Sequence, residues 1–256
     1  MMRAPGQDRK GNGKNMERLD KILALHSVGS RREVGALVRR GSVTVNGLPV
    51  KKPDVKIDPE RDAVCVNGTM LSLHSRVVLM MNKPAGVLSA SRDTRAETVV
   101  DLLPAQWQRR GLFPAGRLDK DTEGLLILTD DGGLAHRMLA PKSHVSKLYE
   151  AELDKPATAQ DAAAFAAGLQ AGELTCLPAE LLLPEAGGAT VRVRVCEGKF
   201  HQVKRMFHAV GKEVLRLRRL SVGGLWLDPA LAPGEARLLT PEEIALIFDS
   251  AFRLQI

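Results

Sequence analysis

Ala115-Gly116-Arg117-Leu118-Asp119-Lys120-Asp121-Thr122-Glu123-Gly124-Leu125-Leu126-Ile127-Leu128-Thr129-Asp130-Asp131-Gly132-Gly133 carries the densest signal in the chain. Its apolar run, Leu125 to Leu128, is too short for a helix and is bounded by Gly124 and the turn-forming cluster Thr129 to Gly133. That pattern predicts a strand buried on both faces. Arg117-Leu118-Asp119 stands just before it, behind Gly116, whose missing Cβ permits a tight turn. Asp119 is thereby placed on a loop at the edge of a rigid strand, where reactive groups are commonly carried. It is the candidate reactive carboxylate; a solvated ion pair with its basic neighbours is the plain alternative.

Asp119-Lys120-Asp121-Thr122 also comes near the D-x-D-x-T signature of aspartate-nucleophile phosphatases. Those enzymes carry their aspartates at the end of a preceding strand, whereas here the strand follows. At 256 residues the chain can hold a large and a small domain. Its longest apolar runs, such as Val77 to Met81, are strand-sized, so no membrane span is expected. Met1 to Asn15 is polar and basic, unlike a secretory signal. Cys65, Cys176 and Cys196 form no C-x-x-C pair, which points away from disulfides and zinc and toward a reducing cytoplasm. The histidines are too irregularly spaced for a metal cluster.

The net charge of +7 is unevenly placed: residues 1–73 hold 14 Lys/Arg against 8 Asp/Glu. Lys199 to Arg219 holds a second cluster, seven basic residues opposed by Glu213 alone. Concentrated positive charge without an amphipathic anchor suggests a nucleic-acid partner rather than a membrane.

Residues 1–15 read as a disordered basic extension. From Met16 the pattern is helical, with Leu19, Ile22, Leu23 and His26 on one face. Ser30 and Glu33 form a capping-box signature for a second helix. That helix buries Val34, Leu37 and Val38, exposes Arg31, Arg32, Arg39 and Arg40, and stops at Gly41. Asn46-Gly47 and Asn67-Gly68 then mark two hairpins. Further on, strands are expected over Val77 to Met81, Lys147 to Leu153, Val191 to Val195 and around Leu215 and Leu217. Helices are expected over Thr98 to Leu103, Leu134 to Leu139, Ala157 to Leu169 and Gln202 to Val210, with a last one opened by Thr240-Pro241-Glu242-Glu243. The absence of a regular βαβ rhythm predicts an α+β fold with much antiparallel sheet.

Glu17 to Lys21, together with Arg40-Gly41-Ser42-Val43-Thr44-Val45-Asn46-Gly47, resembles the small RNA-binding module named after protein four of the small ribosomal subunit. The match covers residues 16–73 and implies that the arginine face grips structured RNA. Residues 74–256 resemble the pseudouridine synthases of the RsuA family. The resemblance rests on Lys83-Pro84-Ala85-Gly86, Gly116 to Thr122, Leu128 to Gly132, Lys147-Leu148-Tyr149 and Glu197 to Met206, in the family's order. It implies isomerisation of a uridine to pseudouridine without cofactor or metal. The type implied acts on 16S ribosomal RNA, at position 516. Relatives act on 23S RNA, and a non-catalytic assembly factor could keep the same fold.

By match to the family's motifs, Asp119 is the catalytic carboxylate, Lys204 the cation beside it, and Tyr149, the chain's single tyrosine, the ring that stacks on uracil. The resemblance puts Arg117, Lys83, Leu217, Gln202 and Arg205 among the substrate-binding residues, with Arg117 filling the space of the flipped nucleotide. Asp121, Asp130 and Asp131 read as loop and turn groups. A monomer is expected. Removing residues 1–73 should weaken RNA binding and flatten its salt dependence, each lost phosphate contact lowering the log–log slope by about 0.7–0.9. Affinity and slope equal to the full chain's in an anisotropy titration would overturn that division of labour.

Overall fold

Two Asn-Gly turns, both residues of each in the left-handed region, reverse the chain early on: Asn46 and Gly47 at φ 53° and 79°, Asn67 and Gly68 at φ 51° and 80°. Positive φ at both central residues gives the turn twist that matches a right-twisted hairpin. The computed structural model describes residues 16–26, 28–59, 61–71, 73, 76–184, 188–249 and 251. The basic extension expected over 1–15 lies outside them. The chain divides into two compact units between Arg76 and Val77.

The first unit runs β1 (Glu17–Arg18), α1 (Leu19–Leu25), α2 (Arg31–Arg39), β2 (Val43–Val45), β3 (Leu48–Pro49), β4 (Lys56–Ile57), β5 (Val64–Val66) and β6 (Thr69–Leu71). The strands form an antiparallel sheet in the order β3-β2-β5-β6 and a separate β1–β4 pair. Leu19, Ile22, Leu23, Val34 and Val38 pack with Val43, Ile57 and Val64 into one core. The capping box is present: Ser30 Oγ accepts from Glu33 N–H, and the Glu33 carboxylate accepts from Ser30 N–H at 2.7 Å. Two expectations shift. Extended backbone precedes α1, because Glu17 and Arg18 pair with Ile57 and Lys56, and His26 ends that helix as its C-cap. Leu37 is half-buried, while Arg31, Arg32, Arg39 and Arg40 are exposed as expected.

The second unit contains β7 (Val78–Lys83), α3 (Ala105–Gln108), β8 (Phe113–Pro114), β9 (Glu123–Thr129), α4 (Gly132–Leu139), β10 (Lys147–Leu153), α5 (Ala159–Ala167), β11 (Leu169–Ala171), β12 (Leu174–Cys176), β13 (Glu180–Leu182), β14 (Thr190–Val195), α6 (Gln202–Ala209), β15 (Val214–Val222), β16 (Leu225–Trp226), β17 (Ala236–Leu238) and α7 (Pro241–Leu246). One sheet dominates, in the order β13-β14-β10-β15-β9-β7-β17, with β16 on β15 and β8 on β9. Its pairs are antiparallel except β15 with β9, which run parallel through Arg218↔Glu123 and Arg219↔Gly124. A Cβ on Gly124 (φ +99°) would fall on the carbonyl oxygen of Arg219, so this join requires glycine.

β9 is buried on both faces. Leu126 and Leu128 pack with Leu79, Tyr149, Phe165, Phe207 and Leu217, whereas Leu125 and Ile127 pack with Met80, Met138, Val222 and Ile247. The helix expected over Thr98 to Leu103 is a run of turns. Thr98 N–H and Oγ both donate to Asp101 at 2.8 Å, closing one turn, and a helix begins only after Pro104. α5 is shorter than expected: Thr158 caps it, Gly168 (φ +83°) ends it, and Leu169 starts a hairpin with β12.

In the first unit, Arg18 and Arg31 both grip Asp20, at 2.9 and 2.7 Å. Led by the Arg18 hydrogen bond, and opposed by burial, these contacts hold its carboxyl down at about 2. A depressed carboxyl contributes stability that is full above its ordinary range near 4 and is lost as pH falls toward 2. Asp20→Asn should therefore cost at most about 2 kcal/mol at pH 7, because both guanidinia are solvent-exposed. Near pH 2 the cost should vanish. Urea unfolding followed at amide signals of β2 and β5 checks this; equal midpoints at pH 7 would refute it.

Candidate active site

The loop between β8 and β9 turns at Gly116 (φ +86°) and carries Arg117 to Thr122. Four anchors fix its backbone. Leu118 N–H donates to Ser89 Oγ at 3.1 Å, and Ser89 Oγ–H donates to Leu118 O at 2.8 Å. Gly86 N–H donates to Lys120 O, and Thr122 N–H to Asp119 O. Lys83 is wholly buried at 0% exposure, and its ammonium donates to the carbonyls of Thr122 (2.8 Å), Pro84 (2.9 Å) and Lys120 (3.1 Å). Burial pushes this lysine down to about 8, against the pull of Asp121 and Asp119. Three carbonyl acceptors favour the charged, three-donor form at neutral pH.

Asp119 projects from this fixed loop into a cleft that is open to solvent on one side, about 420 Å³ with its open mouth included. Arg117, Leu118, Thr122, Tyr149, His201 and Leu217 share the lining. The parallel β9–β15 join explains the gathering. It sets the start of β9 beside β15, which carries Leu217, and β15 in turn pairs with β10, which carries Tyr149. Tyr149 is mostly buried and Leu217 lies in the core opposite Ala151. Such a wall excludes water from one side of the carboxylate while leaving the other open.

α6 supplies the positive side. His201 Nε2 lies 3.5 Å from Asp119 Oδ1, and Lys204 Nζ lies 3.9 Å from Asp119 Oδ2. Lys204 is closer to Asp121, donating to both oxygens at 2.6 and 2.7 Å. That hydrogen bond lowers the Asp121 carboxyl. The cation expected to serve Asp119 is thus shared, with Asp121 its nearer partner, and Asp121 does more than fill a turn.

Of the expected substrate-binding residues, Gln202 lines the cleft with Arg117 and Leu217, while Lys83 and Arg205 are not part of its lining. Lys83 holds the Asp119 loop from behind and has no exposed surface. Gln202 is buried; its amide joins Glu197 at 3.0 Å and accepts from Lys199 N–H at 3.1 Å, so it fastens the 197–201 loop. Arg205 donates to Ala171 O at 3.0 Å, tying α6 to the β11–β12 hairpin. Arg31, Arg32, Arg39 and Arg40 belong to the first unit. The turn reading holds for the other aspartates. Asp131 caps α4 through Gly133 and Leu134 N–H, and Asp130 locks the buried Arg110 and Val77 N–H. His201 and Ser89 were not singled out from sequence. His201 stood inside a quoted motif, but nothing in residue order shows that its ring turns toward Asp119.

Among the described residues, no group of three or more His, Cys, Asp or Glu side chains could hold a metal ion. No described helix is long and apolar enough to cross a membrane. The three cysteines are free.

Residues 77–209 match the family described as RNA pseudouridylate synthase, and residues 17–62 match the S4 domain. The chain is 48% identical over 233 residues to a Bacillus subtilis protein named as an uncharacterized RNA pseudouridine synthase, covering 90% of this chain and 98% of that one. It is 40% identical over 232 residues to ribosomal small subunit pseudouridine synthase A of Escherichia coli K12, covering 90% and 99%. A crystal structure of a pseudouridylate synthase is similar at 35% identity and a TM-score of 0.63, over 90% of this chain and 99% of that one.

Lys83→Met keeps the length of the side chain but strips the donors from three carbonyls, each loss costing about 1–3 kcal/mol. The expected result is a lowered melting temperature and a turnover reduced by about 10²-fold through misplacement of Asp119, with RNA affinity changed far less. Full turnover in a folded Lys83→Met protein would show that the loop holds Asp119 without this anchor.

Proposed function

The chain belongs to the RNA pseudouridine synthase family, and from that premise we propose that it isomerises a uridine of small-subunit ribosomal RNA, at position 516 of the 16S molecule. The single observation that carries the reading is the placement of Asp119: a carboxylate on a pinned loop, facing Tyr149 and Leu217 across one cleft. The relative named for the small subunit, 40% identical along nearly its whole length, supports the choice of RNA.

In this reaction the N1–C1′ bond breaks, the base turns, and C5 bonds to C1′; C5 loses a proton and N1 gains one, so nothing is oxidised or reduced. A stacked base is out of reach, so the nucleotide must leave the helix. Arg117, exposed at the cleft, enters the RNA where the base has left. Tyr149 stacks on the uracil over Leu217 and lies on the side where the C5 proton departs. Asp119 acts on the nucleoside as nucleophile or as base, and either role needs the ionised carboxylate. His201 and Lys204 stand beside it, at 3.5 and 3.9 Å.

The first unit brings the arginine face of α2 to the RNA through phosphate and shape contacts. Arg31 is partly committed to Asp20, so Arg32, Arg39 and Arg40 carry more of the binding. The reaction takes place in the cytoplasm and the protein works as a monomer.

Asp119→Asn tests the assignment. The amide keeps the shape and loses the charge, so fold and RNA binding should survive. Tritium release from C5-labelled uridine in small-subunit RNA should fall below detection, beyond the ~10²–10⁴-fold expected for an auxiliary acid or base. Asp121→Asn should retain measurable release, since Asp119 keeps the Lys204 ammonium and the His201 ring beside it. Near-normal release from Asp119→Asn would sink the mechanism. Mapping pseudouridine in ribosomal RNA from cells with and without the protein tests the target, and a site lost from large-subunit RNA instead would move it there.

A further inference from the structure

Phe200 is the most exposed large hydrophobic residue described, at 73%, while Phe165 and Phe207 are wholly buried. A single exposed apolar side chain is ordinarily unremarked surface. Phe200 differs in how it is held. Its ring stacks on that of His201, centroids 3.8 Å apart and planes 19° from parallel. His201 itself sits in the left-handed region, φ 51° and ψ 30°, a state uncommon for residues with a side chain though more accessible to histidine than to most, and the loop around it is anchored.

Lys199 N–H donates to Gln202 Oε1 at 3.1 Å, and its ammonium reaches Thr175 O and the Glu197 carboxylate, each at 2.6 Å. Glu197 also accepts from Leu177 N–H at 2.7 Å and from Gln202 Nε2 at 3.0 Å. A fixed loop therefore holds a bare aromatic face in water. The second ring of the pair, His201, lines the cleft and touches Asp119.

We propose that Phe200, backed by the ring of His201, is a stacking platform for a nucleobase adjacent to the uridine that is flipped into the cleft. The proposal rests on the RNA-modifying reading above and adds a recognition element to it. Flipping one nucleotide removes the stacking partner of its neighbours, and an exposed ring beside the cleft mouth replaces it. Every base offers a π-face, so one aromatic residue suffices. The setting favours RNA over an apolar protein partner. Phe200 lies between Lys199 and His201 in the chain, with Arg117 lining the same cleft and Lys204 on the helix that follows.

The test compares Phe200→Ala, Phe200→Leu, Phe200→Tyr and Phe200→Trp with the wild-type full chain. The substrate is total ribosomal RNA from cells lacking the enzyme, so a large-subunit target would appear as such without blocking the comparison. Phe200→Ala and Phe200→Leu should raise KM by about 10- to 100-fold, the range of one lost base stack, with kcat within about threefold. Phe200→Tyr and Phe200→Trp should restore KM. In RNA carrying 2-aminopurine at successive positions beside the modified uridine, wild type should quench fluorescence at one neighbouring position and Phe200→Ala should not. Unchanged KM and quenching in Phe200→Ala would overturn the proposal. So would a loss confined to kcat, which would mean that Phe200 only steadies His201 against Asp119. Self-association of the wild type that Phe200→Ala abolishes, with KM intact, would assign the ring to a second copy of the chain instead.

Discussion

A buried ammonium holds the Asp119 loop in place. Lys83 sits at the end of β7, and β7 is fixed by its long antiparallel pairing with β9. Its Nζ therefore arrives behind the Asp119 loop as a rigid donor, and three carbonyls that would otherwise be orphaned inside the protein turn toward it. The arrangement is mutual. The charge is tolerated in the interior because the carbonyls and three nearby carboxylates, Asp121, Asp119 and Glu123, compensate for lost water. The loop keeps one conformation because leaving the ammonium would strand polar groups on both sides. Precision at Asp119 is thus imposed from the core rather than from the cleft.

The same dependence runs through the sheet. An otherwise antiparallel sheet contains one parallel seam, β9 on β15, and that seam brings the start of β9 alongside the middle of β15. Glycine at 124 lets the two backbones approach there. Without the close approach, Leu217 and Tyr149 would stand on strands unrelated to the Asp119 loop. Tyr149 and Leu217 belong to the large core cluster as well as to the cleft wall. For both residues, core packing and a place in the cleft wall are therefore a single placement.

What the residue order revealed and what it hid divide along the range of the interactions. The Leu125–Leu128 strand, the Asn-Gly turns and the caps at Ser30 and Thr240 are local: each is decided by residues within a few positions. The false helix at Thr98–Leu103 failed for a related reason. A threonine bonding to an aspartate three residues on closes a single turn as readily as it starts a helix, and Pro104 deferred the helix by one turn. Short strands such as β13 and β17 carry three residues of mixed polarity and take their shape from partners on other strands, β14 and β7. Lys83, Gln202 and Arg205 were recognisable as parts of motifs, but whether each faces substrate or protein is a tertiary fact. The left-handed turn at His201 leaves no mark in composition at all.

The sharing of Lys204 completes the picture of the site. Coulomb attraction falls only as the inverse of distance, so at 3.9 Å Lys204 offers Asp119 about two-thirds of what it would at 2.6 Å in the same medium. Asp121 is largely exposed and screened by water, whereas Asp119 is three-quarters covered. Solvent therefore weakens the nearer pairing more than the farther one. When RNA covers the cleft and excludes water, the attraction toward Asp119 strengthens on the side already shielded by Tyr149 and Leu217. One ammonium thus serves two carboxylates of the same loop, the exposed Asp121 closely and the more covered Asp119 at a slight remove. The withdrawal also leaves the Asp119 oxygens facing the cleft, outside the direct bidentate grip that Lys204 has on Asp121.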